Sequence, residues 1–290
     1  NELMDSWINK AGFPIISASR SSNSDAIFVY QAPYQAGAKT YWNVPIKWFT
    51  ENSNGELLLT SSSGTIKTNI EEKQWYKLNQ NSDGYYIVNY IDNNWDNIIE
   101  QLQQNPSVFS VRDRASFIFD AYQLTEMKAS QSKNSKENES MMTYEKFFRL
   151  LEFLKNENDY LPWSITNTFI SSLKSRLSLI GSLSSVQFDS YIRNLIKHVY
   201  DKNVDFYGTT GRKSYLENSL QSVLISLACS AEYEPCLQAT NELFQNFIKT
   251  REPIPSNIRG DVYRFGIQTS KNVQDFDVLW NAYRAELDAV

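Results

Sequence analysis

Beyond its first dozen residues the hydrophobic pattern of this chain changes period once, near Ile91, and that change constrains the fold more than any other feature. Before it, apolar residues come in short runs: Phe13–Ala18, Ala26–Gln31, Trp42–Phe49, Glu56–Thr60, Thr65–Asn69, Trp75–Asn79 and Tyr85–Ile91. Turn residues divide them, as in Ser21-Ser22-Asn23-Ser24, Asn52-Ser53-Asn54-Gly55 and Ser82-Asp83-Gly84. Short runs rich in β-branched and aromatic residues, bounded by such turns, predict strands. Their spacing predicts a small antiparallel β-sandwich over 13–91. In the last run Tyr86, Val88 and Tyr90 fall on one face and Tyr85, Ile87 and Asn89 on the other.

After Ile91 the apolar residues recur every three or four positions to the end of the chain. That period predicts helices. They fall over Asn94–Leu102 with Asp92 as its cap, then Val111–Thr125, Thr143–Asn156, Pro162–Leu179, Val186–Tyr200, Lys213–Ser230, Pro235–Thr250, Asn257–Ser270 and Asp275–Asp288. Helices in series with short connections predict an all-α, HEAT- or armadillo-like superhelical domain over 92–290. Lys128–Ser140, apolar only at Ala129, predicts a mobile polar loop. Residues 1–12 read as the end of a helix of another domain, with Leu3, Met4, Trp7 and Ile8 sharing a face. The expected fold is therefore α+β and multidomain: 1–12, a sandwich over 13–91, and helices over 92–290.

Composition narrows the function classes. Hydrophobic residues make up 41% and charged residues 21%, enough for buried cores. The net charge of −5, with no long basic block, argues against nucleic acid, whose binding rests on phosphate neutralisation. No run approaches the roughly 20 apolar residues that span a bilayer, so no membrane contact is expected of this chain. Its opening, Asn1-Glu2-Leu3-Met4-Asp5, lacks a signal peptide's layout.

Few residues invite a catalytic reading. The chain has one histidine, His198, and an H-E-x-x-H metal helix needs two imidazoles one turn apart. His198 therefore reads as a surface or structural residue. Arg112, Asp113 and Arg114 offer either a clamp for a carboxylate or, as the better reading, a helix start in which Asp113 serves the N-terminus and Arg114 pairs with a neighbouring carboxylate. Glu137, Glu139, Glu145 and Glu152 read as a solvated face, and Lys10, Arg20 and Lys39 are too dispersed for a basic patch. Cys229 and Cys236, with six residues including Pro235 between them, suit either a bridge that pins a turn between helices or two free thiols. Asn138-Glu139-Ser140 is a glycosylation triplet.

Several stretches carry a resemblance in their order. They are Met4-Asp5-Ser6-Trp7, Gly12-Phe13-Pro14-Ile15-Ile16, Trp42-Asn43-Val44-Pro45-Ile46, the Gly84–Tyr90 strand with Asn94-Trp95, Asp113-Arg114-Ala115-Ser116, Ala228–Cys236 and Val262-Tyr263. Together they resemble the aminopeptidase N-like family of zinc peptidases, most closely the endoplasmic-reticulum aminopeptidases that trim antigenic peptides. The resemblance covers nearly the whole chain; it departs at Ile87, where many members carry an arginine. It implies that the chain opens on the last helix of a zinc domain, keeps the β-sandwich and the helical bowl, and stops short of the family's last helices, leaving an apolar face near Leu287. It implies a Cys229–Cys236 disulfide and a secretory-lumen or extracellular site, with Asn138 a glycan candidate and a membrane-anchored parent allowed.

The family's zinc ligands, amine-binding loop and catalytic tyrosine all belong to the preceding domain, so no catalytic, cofactor-binding or metal residue is assigned here. Zinc is expected in that missing domain. The implied role is to enclose the active site and to bind and select peptide substrates, with peptides and the parent's own catalytic domain as partners. The alternative is a peptide- or protein-binding module of a catalytically degenerate homologue. On either reading the purified chain, supplied with zinc, turns over no peptide; a zinc-dependent rate that persists through purification overturns this.

Overall fold

The computed structural model describes residues 2–35, 40–130, 142–208, 211 and 213–287. They pack as two compact units, Asn1–Phe153 and Leu154–Val290. The period change at Ile91 marks a switch of secondary structure, and the boundary between the units falls later.

The first unit opens on helix α1 (Glu2–Ile8). Trp7 Nε1 donates to the Asn43 carbonyl at 2.9 Å and the Asn43 amide donates to Ser6 Oγ at 3.0 Å, tying α1 to the segment that leads into a strand. Each run of alternating residues forms a strand: β1 (Pro14–Arg20), β2 (Ala26–Pro33), β3 (Val44–Thr50), β4 (Asn54–Leu59), β5 (Ser63–Lys67), β6 (Tyr76–Leu78) and β7 (Ile87–Tyr90). They make a four-stranded sheet, β5-β2-β1-β7, and a three-stranded one, β4-β3-β6. One pair departs from the antiparallel expectation: β7 lies parallel to β1, with Ile15 opposite Ile87 and Ala18 opposite Tyr90. The second sheet lies between them in the chain, so β7 returns to the first sheet running in the direction of β1.

β6 and β7 are the edges of their sheets, and the corner they share with the following helices is buried. Edge backbone groups hidden from water need partners. Asn94 supplies two of them, accepting from the Tyr76 amide at 3.0 Å and donating to the Tyr76 carbonyl at 2.8 Å, as a neighbouring strand would. Tyr90 accepts from the Leu78 amide at 3.1 Å, and Lys77 Nζ donates to the carbonyls of Leu78 and Asn79 at 2.5 and 3.1 Å. Asn79, in the left-handed region at φ 58°, exchanges two hydrogen bonds with Gly84 and closes the turn between the strands.

Among the described residues of this unit three further α-helices follow: α2 (Asn94–Gln104), α3 (Val111–Ser130) and α4 (Tyr144–Leu151). Asn93, not Asp92, is the residue before α2. Asp92 serves the helix from one position further out. It accepts from the Asn94 amide at 3.0 Å, while its other oxygen accepts from the Arg20 amide at 2.7 Å and the Tyr76 hydroxyl at 3.1 Å. Lys128–Ser130, expected in the polar loop, are the last residues of α3. Ala129 favours helix, and Lys128 suits the negative end of the helix dipole. The rest of the expected loop, from position 131 on, lies outside the described residues. All of β7 is buried because α3 packs against it, and Trp95, Phe109 and Phe117 form edge-to-face contacts in the core.

The second unit is helical: α5 (Tyr160–Ile180), α6 (Ser182–Asn203), α7 (Tyr215–Ser230), α8 (Glu234–Thr250), α9 (Arg259–Thr269) and α10 (Gln274–Leu287). α5 packs on α7 and α7 on α9, while α6, α8 and α10 lie against that row. Gly266 lets α9 approach α8: a Cβ there would lie 2.3 Å from Phe244 Cβ.

Asn94→Ala orphans the amide and carbonyl of Tyr76 in a buried edge. We expect it to cost about 2–5 kcal/mol in urea unfolding, at the scale of two lost buried partners. A cost within the noise of a surface substitution would refute the edge-sealing role.

Candidate functional site

The row α5, α7 and α9 carries a concave polar groove of about 380 Å³. On α5, Asn167, Ser171, Lys174, Ser175 and Ser178 face it at helical spacing, while Trp163, Phe169 and Leu173 are buried. On α7, Ser226 and Ser230 face it, with Leu220, Leu224 and Ala228 buried. On α9, Arg264 and Gln268 continue the rim, and Ile170, Ile192, Leu227 and Phe265 add apolar surface. Each helix is thus two-faced in the same sense, apolar toward its packing neighbours and polar toward the groove.

One wall is the turn between α7 and α8, which is fastened from several sides. Lys174 Nζ donates to Asp189 Oδ1 at 2.6 Å and to the Ser230 carbonyl. Arg193 donates to the Ala231 carbonyl at 2.6 Å, and Tyr200 meets Tyr233 edge-to-face at 5.2 Å. A disulfide joins Cys229 to Cys236 across this turn, with their Cα atoms 5.3 Å apart. Glu232, in the left-handed region at φ 56°, is held at the rim. On the opposite side the Arg264 guanidinium lies 5.0 Å over the Phe265 ring. One turn earlier, burial pushes the Asp261 carboxyl up to about 6, with Arg264 opposing the rise.

The lining can donate and accept hydrogen bonds at many points, carries exposed charge of both signs at Glu232 and Arg264, and has an apolar floor. Those properties suit an extended chain of amide groups better than a compact ligand.

The residues singled out from the sequence do not converge on this groove, apart from the cysteines behind its wall. His198 is exposed on α6. Asp113 is buried: it accepts from the Asn81 amide and the Ser110 hydroxyl, both at 2.7 Å, and lies 3.7 Å from Lys77 Nζ. Ser110 accepts in turn from the Asp113 amide at 3.2 Å, so Asp113 does sit in the first turn of α3. Arg114 donates to the Phe109 carbonyl at 2.8 Å. This internal tie leaves Asp113 no room to meet a ligand. Asn138, Glu137, Glu139 and Lys39 lie outside the described residues. The serine stripes went unread because polar residues on one helix face look the same in sequence whether they line a groove or meet open solvent. On α10, Phe276, Trp280 and Tyr283 are half-exposed around a hollow of about 370 Å³, and the side chain of Leu287 lies outside the described residues.

Comparison with known proteins places residues 75–289 in the family model described as "ERAP1-like C-terminal domain". The chain is 31% identical over 291 residues to glutamyl aminopeptidase of Rattus norvegicus, covering 97% of this chain and 28% of that protein. It is 27% identical over 297 residues to endoplasmic reticulum aminopeptidase 1 of Mus musculus, covering 99% and 30%. To aminopeptidase N of Plutella xylostella it is 25% identical over 302 residues, covering 99% and 30%. The chain thus spans less than a third of the length of these relatives.

Replacing both cysteines of the fastened turn, Cys229→Ser with Cys236→Ser, releases a short loop. We expect it to cost about 2–3 kcal/mol in denaturant unfolding, at the scale of chain-entropy estimates for a loop of this size. No change would show that the surrounding hydrogen bonds hold the turn alone.

Proposed function

The chain belongs to the family of ERAP1-like C-terminal domains, and from that premise we propose that it is the non-catalytic C-terminal region of a zinc aminopeptidase-like protein, whose groove receives and selects peptides. On this reading residues 1–12 end the catalytic domain, 13–91 form the sandwich module, and 92–290 form a helical bowl that helps enclose the active site. The observation that carries it is the groove itself, a row of serine, asparagine and glutamine side chains over an apolar floor on α5, α7 and α9. Solenoid-type helix rows present extended surfaces of this kind to extended ligands.

The zinc and its reacting water are assigned to the preceding domain. This chain has a single histidine, and among the described residues no three His, Cys, Asp or Glu side chains come together to hold a metal ion. The reaction assigned to the whole protein is hydrolysis of an N-terminal peptide bond, in which a bound zinc lowers the pKa of its water. This chain contributes chamber wall and peptide contacts.

We place the protein in the secretory lumen or outside the cell, because a disulfide between buried cysteines belongs to an oxidising compartment. Among the described residues no helix is long and apolar enough to cross a membrane.

Calorimetry of the purified chain with peptides of about ten residues tests the groove; we expect micromolar binding. Ser171→Leu with Ser226→Leu, which fills the groove with apolar bulk, weakens it about tenfold or more. Absence of heat at millimolar peptide, or unchanged binding in the filled variant, overturns the reading. The upstream coding sequence separates a working aminopeptidase, with two histidines one helical turn apart, from a binding relative that has lost them.

A further inference from the structure

A second group of ionisable side chains lies far from solvent, at the corner where β6 and β7 meet α3. Lys77, Asp113 and Asp120 are 0%, 1% and 4% exposed. Two carboxyl groups lie in the field of one ammonium, and their contacts tell them apart. Asp113 accepts from the Asn81 amide and the Ser110 hydroxyl and lies 3.7 Å from Lys77 Nζ, so two hydrogen bonds and an ion pair surround it. Asp120 accepts from one group, the Val88 amide, at 3.3 Å.

The other titratable groups around Asp120 do not supply the missing charge. Tyr86, just before β7, and Tyr90, at its end, are held neutral, their hydroxyls pushed well up by burial. On α4, which also packs on α3, Lys146 and Arg149 bind Asp96, and Glu145 is exposed. Arg114 is turned to the Phe109 carbonyl. Lys77 is committed to Asp113, to the carbonyls of Leu78 and Asn79, and to the Phe117 ring 5.0 Å away. An ionised carboxylate with a single long hydrogen bond in such a place is more unfavourable than a protonated one.

We propose that Asp120, with Lys77 and Asp113, is a proton-operated latch holding helix α3 against the edge strand β7. With Asp120 protonated the corner is neutral and closed. With Asp120 ionised it carries one uncompensated buried charge, whose lost hydration outweighs the stronger bond from the Val88 amide and favours opening of the corner. Burial pushes the Asp120 carboxyl from 3.8 up to about 7, while Lys77 and the Val88 amide oppose the rise. A carboxyl whose pKa is raised by folding stabilises the folded form fully below its unfolded pKa, and that contribution is lost as pH rises through the folded value. The latch therefore tightens on acidification and loosens toward neutral pH. The lever is local: Val88 is on β7 and Asp120 near the middle of α3, so the proton controls how firmly the helix covers the sheet edge.

Carboxyl carbon NMR of the full chain reads the proton directly. We expect an Asp120 midpoint near 7; a midpoint below about 5, in the ordinary carboxylate range, overturns the latch. Protection of the Val88 amide against hydrogen exchange, corrected for intrinsic rate, should fall by about tenfold per pH unit between about pH 5 and 7 and then level off. Asp120→Asn keeps an oxygen for the Val88 amide and cannot ionise, so its protection should be flat over that range. A flat wild-type profile, or a variant that keeps the slope, refutes the proposal. If the variant does not fold, the two wild-type measurements still decide.

Discussion

A sheet edge buried under helices must find partners for its backbone groups, and in the first unit side chains supply them. Asn94 does for Tyr76 what a further strand would do, with one acceptor and one donor on a single amide. Lys77 and Tyr90 complete β6, and Asp120 caps an amide of β7. Because these side chains come from α2, α3 and both sheets, none of the elements can be removed without exposing or orphaning groups of another. The match to the family model begins at residue 75, beside β6, and not at the first helix. That boundary agrees with the packing: β6, β7, α2 and α3 depend on one another through the buried corner.

The ammonium of Lys77 gives the corner its electrostatic character. Burial pushes its pKa down and the two aspartates push it back up. A cation buried this deeply persists where the loss of hydration is offset by close acceptors, and here carbonyl oxygens and Asp113 provide them. The same chemistry leaves Asp120 short of donors. A corner built to seal an edge thereby acquires a group that titrates where ordinary carboxylates do not.

The groove of the second unit arises from a different constraint. Helices in a row bury one stripe each and leave another uncovered, and the uncovered stripes of α5, α7 and α9 are set side by side by the packing. Gly266 brings α9 close to α8, and the cysteine-bridged turn holds Glu232 and Ser230 in place. A polar lining on a rigid frame suits recognition of peptide backbone, which presents donors and acceptors in regular order along its length. Lys174 and Arg193 hold that wall in place through the Ser230 and Ala231 carbonyls.

Much of the architecture was legible before any coordinates. The runs around Ile16, Val29, Ile46 and Val88 alternate because a strand shows successive residues to opposite faces. The stripe through Ile98, Ile99 and Leu102 repeats because a helix turns every few residues. These are local rules, set by each residue's immediate neighbours along the chain, and the single histidine excluded a two-imidazole metal site on the same local grounds. What the tertiary structure decided were the juxtapositions: β7 running parallel to β1, Asp113 turned inward to Lys77, and Ser171, Ser226 and Gln268 brought to one concavity. Asp113 reads better as a helix-start residue than as a clamp without its inward partner being visible, and a serine stripe reads as groove or solvent face alike, until distant segments are packed. Which of these a residue becomes depends on partners dozens of positions away, and no local pattern encodes them.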